Sequence, residues 1–380
     1  MIYADYNATA PLRPEAREAM LEALEVGANP SSVHGPGRRA RKLMEKARSQ
    51  VATALRGLPQ DIVFTSGGTE AIALAIHGVV RKLDARCTLL VSAIEHEAAS
   101  RNAGHASAPV ETVYVTGEGQ IDLNSLRDRL GRWDSTASGM PVLVLMLANN
   151  ETGVVQPVQE AAAMVRDAGG LTICDGVQGL GKLPLNVSLL GVDYLALSAH
   201  KAGGPQGAGA LWMRSGAPLL PYLFGGGQER SLRSGTENLS GIAGFGAAAE
   251  AAVRDLSSMK TLAGLRDAME DRLISEAGVT VFGKTAARLP NTSNFAYDGF
   301  RAETQVMALD LAGVAVSSGS ACSSGKVKRS IVLSAMGAPD TLAECAIRTS
   351  YGWRSEDSDF ERTADAWLEA LRRRNMKETA

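Results

Sequence analysis

The chain has 380 residues, 45% of them hydrophobic, with 39 basic against 41 acidic side chains and a net charge of −2. That length and apolar content allow a sizeable buried core and, at roughly 100–200 residues per domain, predict two domains; a disordered or fibrous chain is excluded. The near balance of charge leaves no electrostatic footprint for nucleic acid or an anionic membrane, so the expected partner is a small molecule.

In chain order, a helix with Leu43, Ala47, Val51 and Leu55 on one face comes first, suited to pack on a sheet or on a second subunit. Short apolar runs then alternate with segments of helical period. Ile62–Phe64 reads as a strand, Ser66–Thr69 as a loop and Glu70–Val80 as a helix. Further strands are expected at 88–91, 110–115, 142–147, 171–174 and 194–197, with a helix at 158–168. This alternation predicts a largely parallel α/β sheet. Beyond Gly241 a helix is expected to run to about Leu256 and a second from Leu262 to Ala277. Strands near 279–282, 294–297, 314–317 and 346–350 and helices at 302–311 and 357–373 complete a compact α+β unit, with 372–380 as a frayed end. The expected division is a large cofactor-binding domain over 12–256 and a smaller domain from 1–11 and 257–380.

Cys87, Cys174, Cys322 and Cys345 are too few and scattered for a disulfide framework, and none forms a C-x-x-C pair, so no metal is expected. The N-terminus has no basic region followed by an apolar one, and no stretch approaches the ~20 apolar residues of a membrane span. A reducing, cytoplasmic setting without membrane attachment is the expectation.

The polar residues of interest fall just after strands, where loops of an open α/β sheet surround a crevice. Lys201 follows an apolar strand and precedes a glycine-rich run; in isolation it reads as a solvated turn lysine, but its neighbours suit a desolvated amine for Schiff-base chemistry. Asp175 stands at a strand end, where a carboxylate is costly unless it meets a positive group such as a protonated pyridine nitrogen. Gln178, three residues on, can donate to the same ring. The Ser66-Gly-Gly68-Thr69-Glu70 loop can cradle a phosphate at a helix N-terminus, and reads equally as a glycine turn with Thr69 as N-cap. His96 can stack on a ring and carry protons; Asn150 can bond a substrate carboxylate or simply form a turn. Arg348 interrupts an apolar strand and reads evenly as an internal salt bridge or as a clamp on an α-carboxylate. Cys322, framed by Ser and Gly on both sides, reads as a nucleophile on an exposed loop, with Lys326, Lys328 and Arg329 nearby to favour its thiolate. Lysine, aspartate, glutamine and cysteine together describe a pyridoxal 5'-phosphate site with a reactive thiol.

The segments Ala4–Ala10, Asn29–Ser32, Thr65–Glu70, Glu95-His96, Asn149–Gly153, Asp175–Gln178, Ser198–Lys201, Gly225–Arg230, Arg233–Asn238 and Ser317–Cys322 together resemble the cysteine desulfurases, and the likeness runs nearly end to end. It is nearest the subgroup of nitrogen-fixation and general iron–sulfur assembly enzymes. The resemblance implies the pyridoxal phosphate-dependent transferase fold of aspartate aminotransferase, a large domain with a mainly parallel sheet beside a smaller α+β domain. It implies Lys201 as the Schiff-base lysine, Asp175 and Gln178 on the ring, and His96 as stacker and acid/base. Thr69, Ser198 and His200 would bind the phosphate, with Thr236 reaching the phosphate of a partner subunit in a homodimer. Asn150 and Arg348 would hold L-cysteine by its carboxylate, and Cys322 would carry sulfur as a persulfide to an acceptor or iron–sulfur scaffold protein. Three positions depart from the pattern: Ile72-Ala73 replaces paired asparagines, Lys328-Arg329 replaces Glu-Pro, and the tail beyond Trp367 is short.

Overall fold

The computed structural model of the chain describes residues 1–318 and 329–378. Its strands, in chain order, are β1 (Ile2–Tyr3), β2 (Ile62–Thr65), β3 (Cys87–Ser92), β4 (Val110–Val113), β5 (Met140–Met146), β6 (Leu171–Asp175), β7 (Tyr194–Ser198), β8 (Gly209–Met213), β9 (Thr280–Val281), β10 (Thr292–Ala296), β11 (Val314–Ala315), β12 (Ser317–Ser318) and β13 (Ala346–Ser350). Seven of them form one sheet in the order β2-β8-β7-β6-β5-β3-β4. All neighbours run parallel except β8, which is antiparallel to both β2 and β7.

The central strands are buried on both faces, which explains their unbroken apolar sequences. Because side chains alternate along a strand, each strand feeds two cores. Leu143 and Leu145 of β5, Cys174 of β6 and Leu195 and Leu197 of β7 face one layer, closed by Met44, Ala47 and Val51 from the helix Gly35–Ala54 and by Phe245 from Leu239–Arg254. Val142 and Val144, Ile173, and Tyr194 and Ala196 face the other, closed by the helix Gly68–Lys82, including Ile72, and by Glu97–Gly104. The sheet chemistry thus asks for helices on both sides, and the chain supplies them.

A second, four-stranded sheet has the order β12-β13-β10-β9 and is antiparallel throughout. Its core centres on Trp367, from the helix Asp357–Glu378, which lies edge-on to Phe295 and donates its indole N–H to Gln305 Oε1 at 2.7 Å. The N-terminal strand joins this region, since β1 pairs in parallel with β11.

Three expectations need amendment. The strand expected over 314–317 is two: β11 pairs with β1 and β12 with β13, so the chain changes sheets at Val316. Strand β8 was not expected; it opens at Gly209, the last residue of the glycine-rich run Gly203–Gly209. Its first residue must be glycine, because a Cβ on Gly209 would come 2.6 Å from the backbone of Gly67. The last helix continues to Glu378 instead of fraying near 372.

Candidate active site

Four loops leaving the carboxyl ends of β3, β5, β6 and β7 meet the N-terminus of the helix Gly68–Lys82 around one cavity of about 280 Å³. Gly68, Thr69, His96, Asn150, Asp175, Gln178, Ser198, His200 and Lys201 all line it. Nine residues singled out from sequence are therefore brought together by the fold, as parallel α/β sheets bring loops together at a crevice.

At one end the helix opens at Gly68, with Gly67 as N-cap; Thr69 is its second residue and not the cap, which corrects that alternative. Intrahelical bonding starts at Ala71 N, so the N–H groups of Gly68, Thr69 and Glu70 precede the ladder, and the positive end of the helix dipole faces the cavity with Ser198 and His200. A Cβ on Gly68 would meet Val177 Cγ2 at 2.5 Å, so the close approach of helix and loop requires glycine there. Burial, followed by the Lys201 and Lys182 charges, lowers the His200 imidazole to about 4, and its Nδ1 lies 3.0 Å from Thr9 Oγ1. It is a neutral hydrogen-bonding group near pH 7.

Lys201 Nζ donates to the carbonyls of Asn7 and Ala8, both at 2.7 Å, and has no carboxylate partner among the described residues. Burial, then the Arg348 charge, lowers its amine to about 8. Asp175 ends β6 with its carboxylate accepting only the Val177 N–H, at 3.0 Å. Burial pushes this carboxyl up against the opposing pull of that N–H and of the Lys201 charge, so a cation placed against it would meet an acceptor lacking a counterion. His96 caps the helix Glu97–Gly104: its Nδ1 accepts the Ala98 N–H at 3.0 Å, which places the proton of the neutral ring on Nε2. An anion cradle, an amine of lowered pKa and an unpaired buried carboxylate around one cavity fit pyridoxal phosphate.

Arg348, in β13, is buried, with Nη1 on Asn150 O at 2.9 Å, Nη2 on Asp5 Oδ1 at 2.6 Å and Nε without a partner. It adjoins the cavity through Asn150. Thr236 is exposed and outside the cavity lining. Cys322, Lys326 and Lys328 lie outside the described residues. Arg329 is engaged by the Asp340 carboxylate and by Ser334 Oγ.

The model of the class-V aminotransferase family matches residues 2–362. The chain belongs to the class-V aminotransferases. Within that family it is a cysteine desulfurase, and the cofactor is the family's pyridoxal phosphate: the cysteine desulfurase of Cereibacter sphaeroides is 40% identical over 368 residues, covering 95% of this chain and 93% of its own length. The cysteine desulfurase IscS of Dictyoglomus turgidum is 39% identical over 96% of this chain and 93% of its own. Among solved structures, a NifS-like protein from Rickettsia africae superposes with a TM-score of 0.88 at 33% identity, covering 98% of this chain and 99% of that one.

Four residues of this desulfurase site escaped sequence reasoning. Asn7 sits at its hub, with Lys201 Nζ and Gln178 Nε2 on its carbonyl and its own Nδ2 on Asn150 O at 3.1 Å. Asp5 pairs with Arg348. Glu95 accepts the Met146 N–H at 2.7 Å through Oε1, while Oε2 has no partner; burial and the nearby Asp175 push its carboxyl well up, so it is held neutral. Lys182 is a buried lysine four residues after Gln178. The available signals were the Asp5 and Asn7 positions within Ala4–Ala10, the carboxylate directly before His96, and the i, i+4 spacing of Gln178 and Lys182.

Proposed function

We propose that Cys322 is the nucleophile that takes sulfur from L-cysteine in this site, leaving L-alanine, and that it passes the sulfur as a persulfide to an acceptor protein in the cytoplasm. The observation that carries the cofactor half of this reading is the Lys201 amine, lowered to about 8 and facing the same cavity as the unpaired Asp175 carboxylate. When bound, pyridoxal phosphate supplies an electron sink conjugated to the substrate amine. Gly68, Thr69, Ser198 and His200 would hold its phosphate, Asp175 its ring nitrogen and Gln178 its ring oxygen. An amine near 8 is partly uncharged at neutral pH, so Lys201 Nζ can accept a proton from the substrate Cα, and the Nε2–H of His96 can return one. Asn150 and Arg348 would fix the substrate carboxylate.

The sulfur step balances within these groups. The Cys322 thiolate forms an S–S bond with the substrate sulfur, the substrate Cβ–S bond breaks, and its electron pair stays with carbon, which takes up a proton as alanine forms. A thiol reductant or an acceptor thiolate then removes the outer sulfur. Thr236, exposed and outside its own cavity, suits a role at the site of a second copy, which supports a homodimer. Among the described residues no helix is long and apolar enough to cross a membrane.

The test mixes purified protein, pyridoxal phosphate, L-cysteine and a thiol reductant and measures alanine and sulfide together, with Cys322→Ala alongside. Equal amounts of both products from wild type, and neither from the variant, are expected. A variant that keeps the wild-type rate would overturn the assignment of Cys322.

A further inference from the structure

Lys182 is the buried lysine that the reading above leaves without a task. It lies on the turn that follows Gln178, is 7% exposed, and forms no ion pair with any carboxylate among the described residues. Burying a lysine this way is costly, and burial together with the charges of Lys201 and Arg348 drives its pKa well below the ordinary lysine value. Its Nζ nevertheless holds two amide oxygens: Gln178 Oε1, in a very short contact, and Asn7 Oδ1 at 2.8 Å.

Those two contacts fix which way both amides point. Gln178 Nε2 lies 3.0 Å from Asn7 O, and Asn7 Nδ2 lies 3.1 Å from Asn150 O; both carbonyls can only accept. Flipping either amide would set its oxygen against a carbonyl oxygen and its NH2 against the Lys182 amine. The orientations are therefore mutually determined, with Lys182 as the donor that closes the set. Through Asn7 the arrangement reaches Lys201, whose Nζ shares the Asn7 carbonyl, and Asn150, whose carbonyl also accepts Arg348 Nη1.

We propose that Lys182 is a positioning residue that orients the Gln178 and Asn7 amides, so that Gln178 presents an N–H to the cofactor ring and Asn7 fixes the Asn150 segment for substrate. The inference rests on the pyridoxal phosphate reading of the cavity. It assigns Lys182 no contact with cofactor or substrate and no proton transfer.

The experiment titrates wild type, Lys182→Met, Gln178→Ala and the double variant with pyridoxal phosphate, and reads both the dissociation constant and the absorption maximum of the bound cofactor. Loss of one oriented hydrogen bond predicts about tenfold weaker binding for Lys182→Met, with a displaced absorption maximum. In the double variant the two substitutions should add to less than their sum, because Lys182 acts on the ring through Gln178. Methionine replaces a buried amine without leaving an unpaired charge; should it nonetheless fail to fold, Lys182→Gln, which keeps N–H donors on a shorter chain, enters the same cycle. Wild-type affinity and spectrum in the folded Lys182 variant, or full additivity in the double variant, would overturn the inference alone. A wild-type chain that takes up no pyridoxal phosphate would overturn the cofactor reading and this inference with it.

Discussion

Replacing Glu151 by glutamine keeps the side chain's shape and an acceptor oxygen for Ser330 Oγ, 2.6 Å away, but removes its ability to ionise. Glu151 follows Asn150 in the loop after β5 and is buried against Ser330, which caps the short helix Ile331–Ala335. Burial raises its carboxyl from 4.5 to about 7, against the weaker opposing pull of the Ser330 hydroxyl and the Arg348 charge. The folded chain thus retains a proton that the unfolded chain releases near 4.5. The stability linked to that proton is fully present below the unfolded value and is lost as the pH rises through about 7. At ~1.4 kcal/mol for each pH unit between the two values, the loss amounts to about 3 kcal/mol. Denaturant midpoints at fixed protein concentration, from about pH 5 to about pH 8.5, would compare wild type with Glu151→Gln. The variant should gain most of that difference on wild type across the window, and the part of the protonated-carboxyl infrared stretch that wild type shows and Glu151→Gln lacks should fade near pH 7. Stability curves that stay parallel would refute the argument, because they would mean that Glu151 titrates alike in both states.

The Lys201 amine, lowered to about 8, should acylate with a pH midpoint well below that of ordinary lysines, and Lys201→Ala should abolish capture of pyridoxal phosphate by borohydride, both read by mass spectrometry. Glu229→Ala would remove the buried carboxylate that holds the Arg48 guanidinium at 2.7 and 2.8 Å and accepts the Phe64 N–H at 2.8 Å, leaving Arg48 the half-exposed Glu45 as its carboxylate; a loss of ~3–5 kcal/mol is expected in unfolding experiments, partly recovered when Arg48 also becomes Met. Trp367→Ala empties the centre of the second core and leaves Gln305 Oε1 without its donor, so about 3–5 kcal/mol should be lost, again by denaturant unfolding.

What could be read from the sequence divides along physical lines. Strands β5, β6 and β7 announce themselves because burial on both faces forces unbroken apolar runs, and the residues after them, Asn150, Asp175 and Lys201, follow from where parallel strands end. Strand β8 stayed hidden because it opens at Gly209, where the close approach to Gly67 demands glycine, and only the short apolar run Ala210–Met213 follows it. The hub role of Asn7 was equally hidden: its partners Asn150, Gln178, Lys201 and Thr292 lie 143 to 285 residues away, and one sequence carries no record of such pairings. The same holds for Glu229, whose neighbours Arg230 and Ser231 share its positive φ, a conformation that three consecutive non-glycine residues give no reason to expect.

Arg348 shows how a plain reading can hold and still leave room for a functional one. The sequence offers it evenly as a salt bridge or as a carboxylate clamp, and the structure supplies the salt bridge, to Asp5 at 2.6 Å. A guanidinium, however, has five N–H donors in a planar fork, and here Nη1 and Nη2 each serve one protein acceptor while the buried Nε serves none. Leaving that donor unsatisfied costs about 1–3 kcal/mol, a penalty that a substrate carboxylate beside Asn150 would remove on binding. Asp5 then has a purpose compatible with the clamp: it holds the guanidinium in place through Nη2 and leaves the remaining donors directed by that anchorage. Asp5→Asn should therefore raise the KM for L-cysteine while leaving pyridoxal phosphate affinity unchanged, whereas an Asp5 that merely competes with substrate would lower KM when removed.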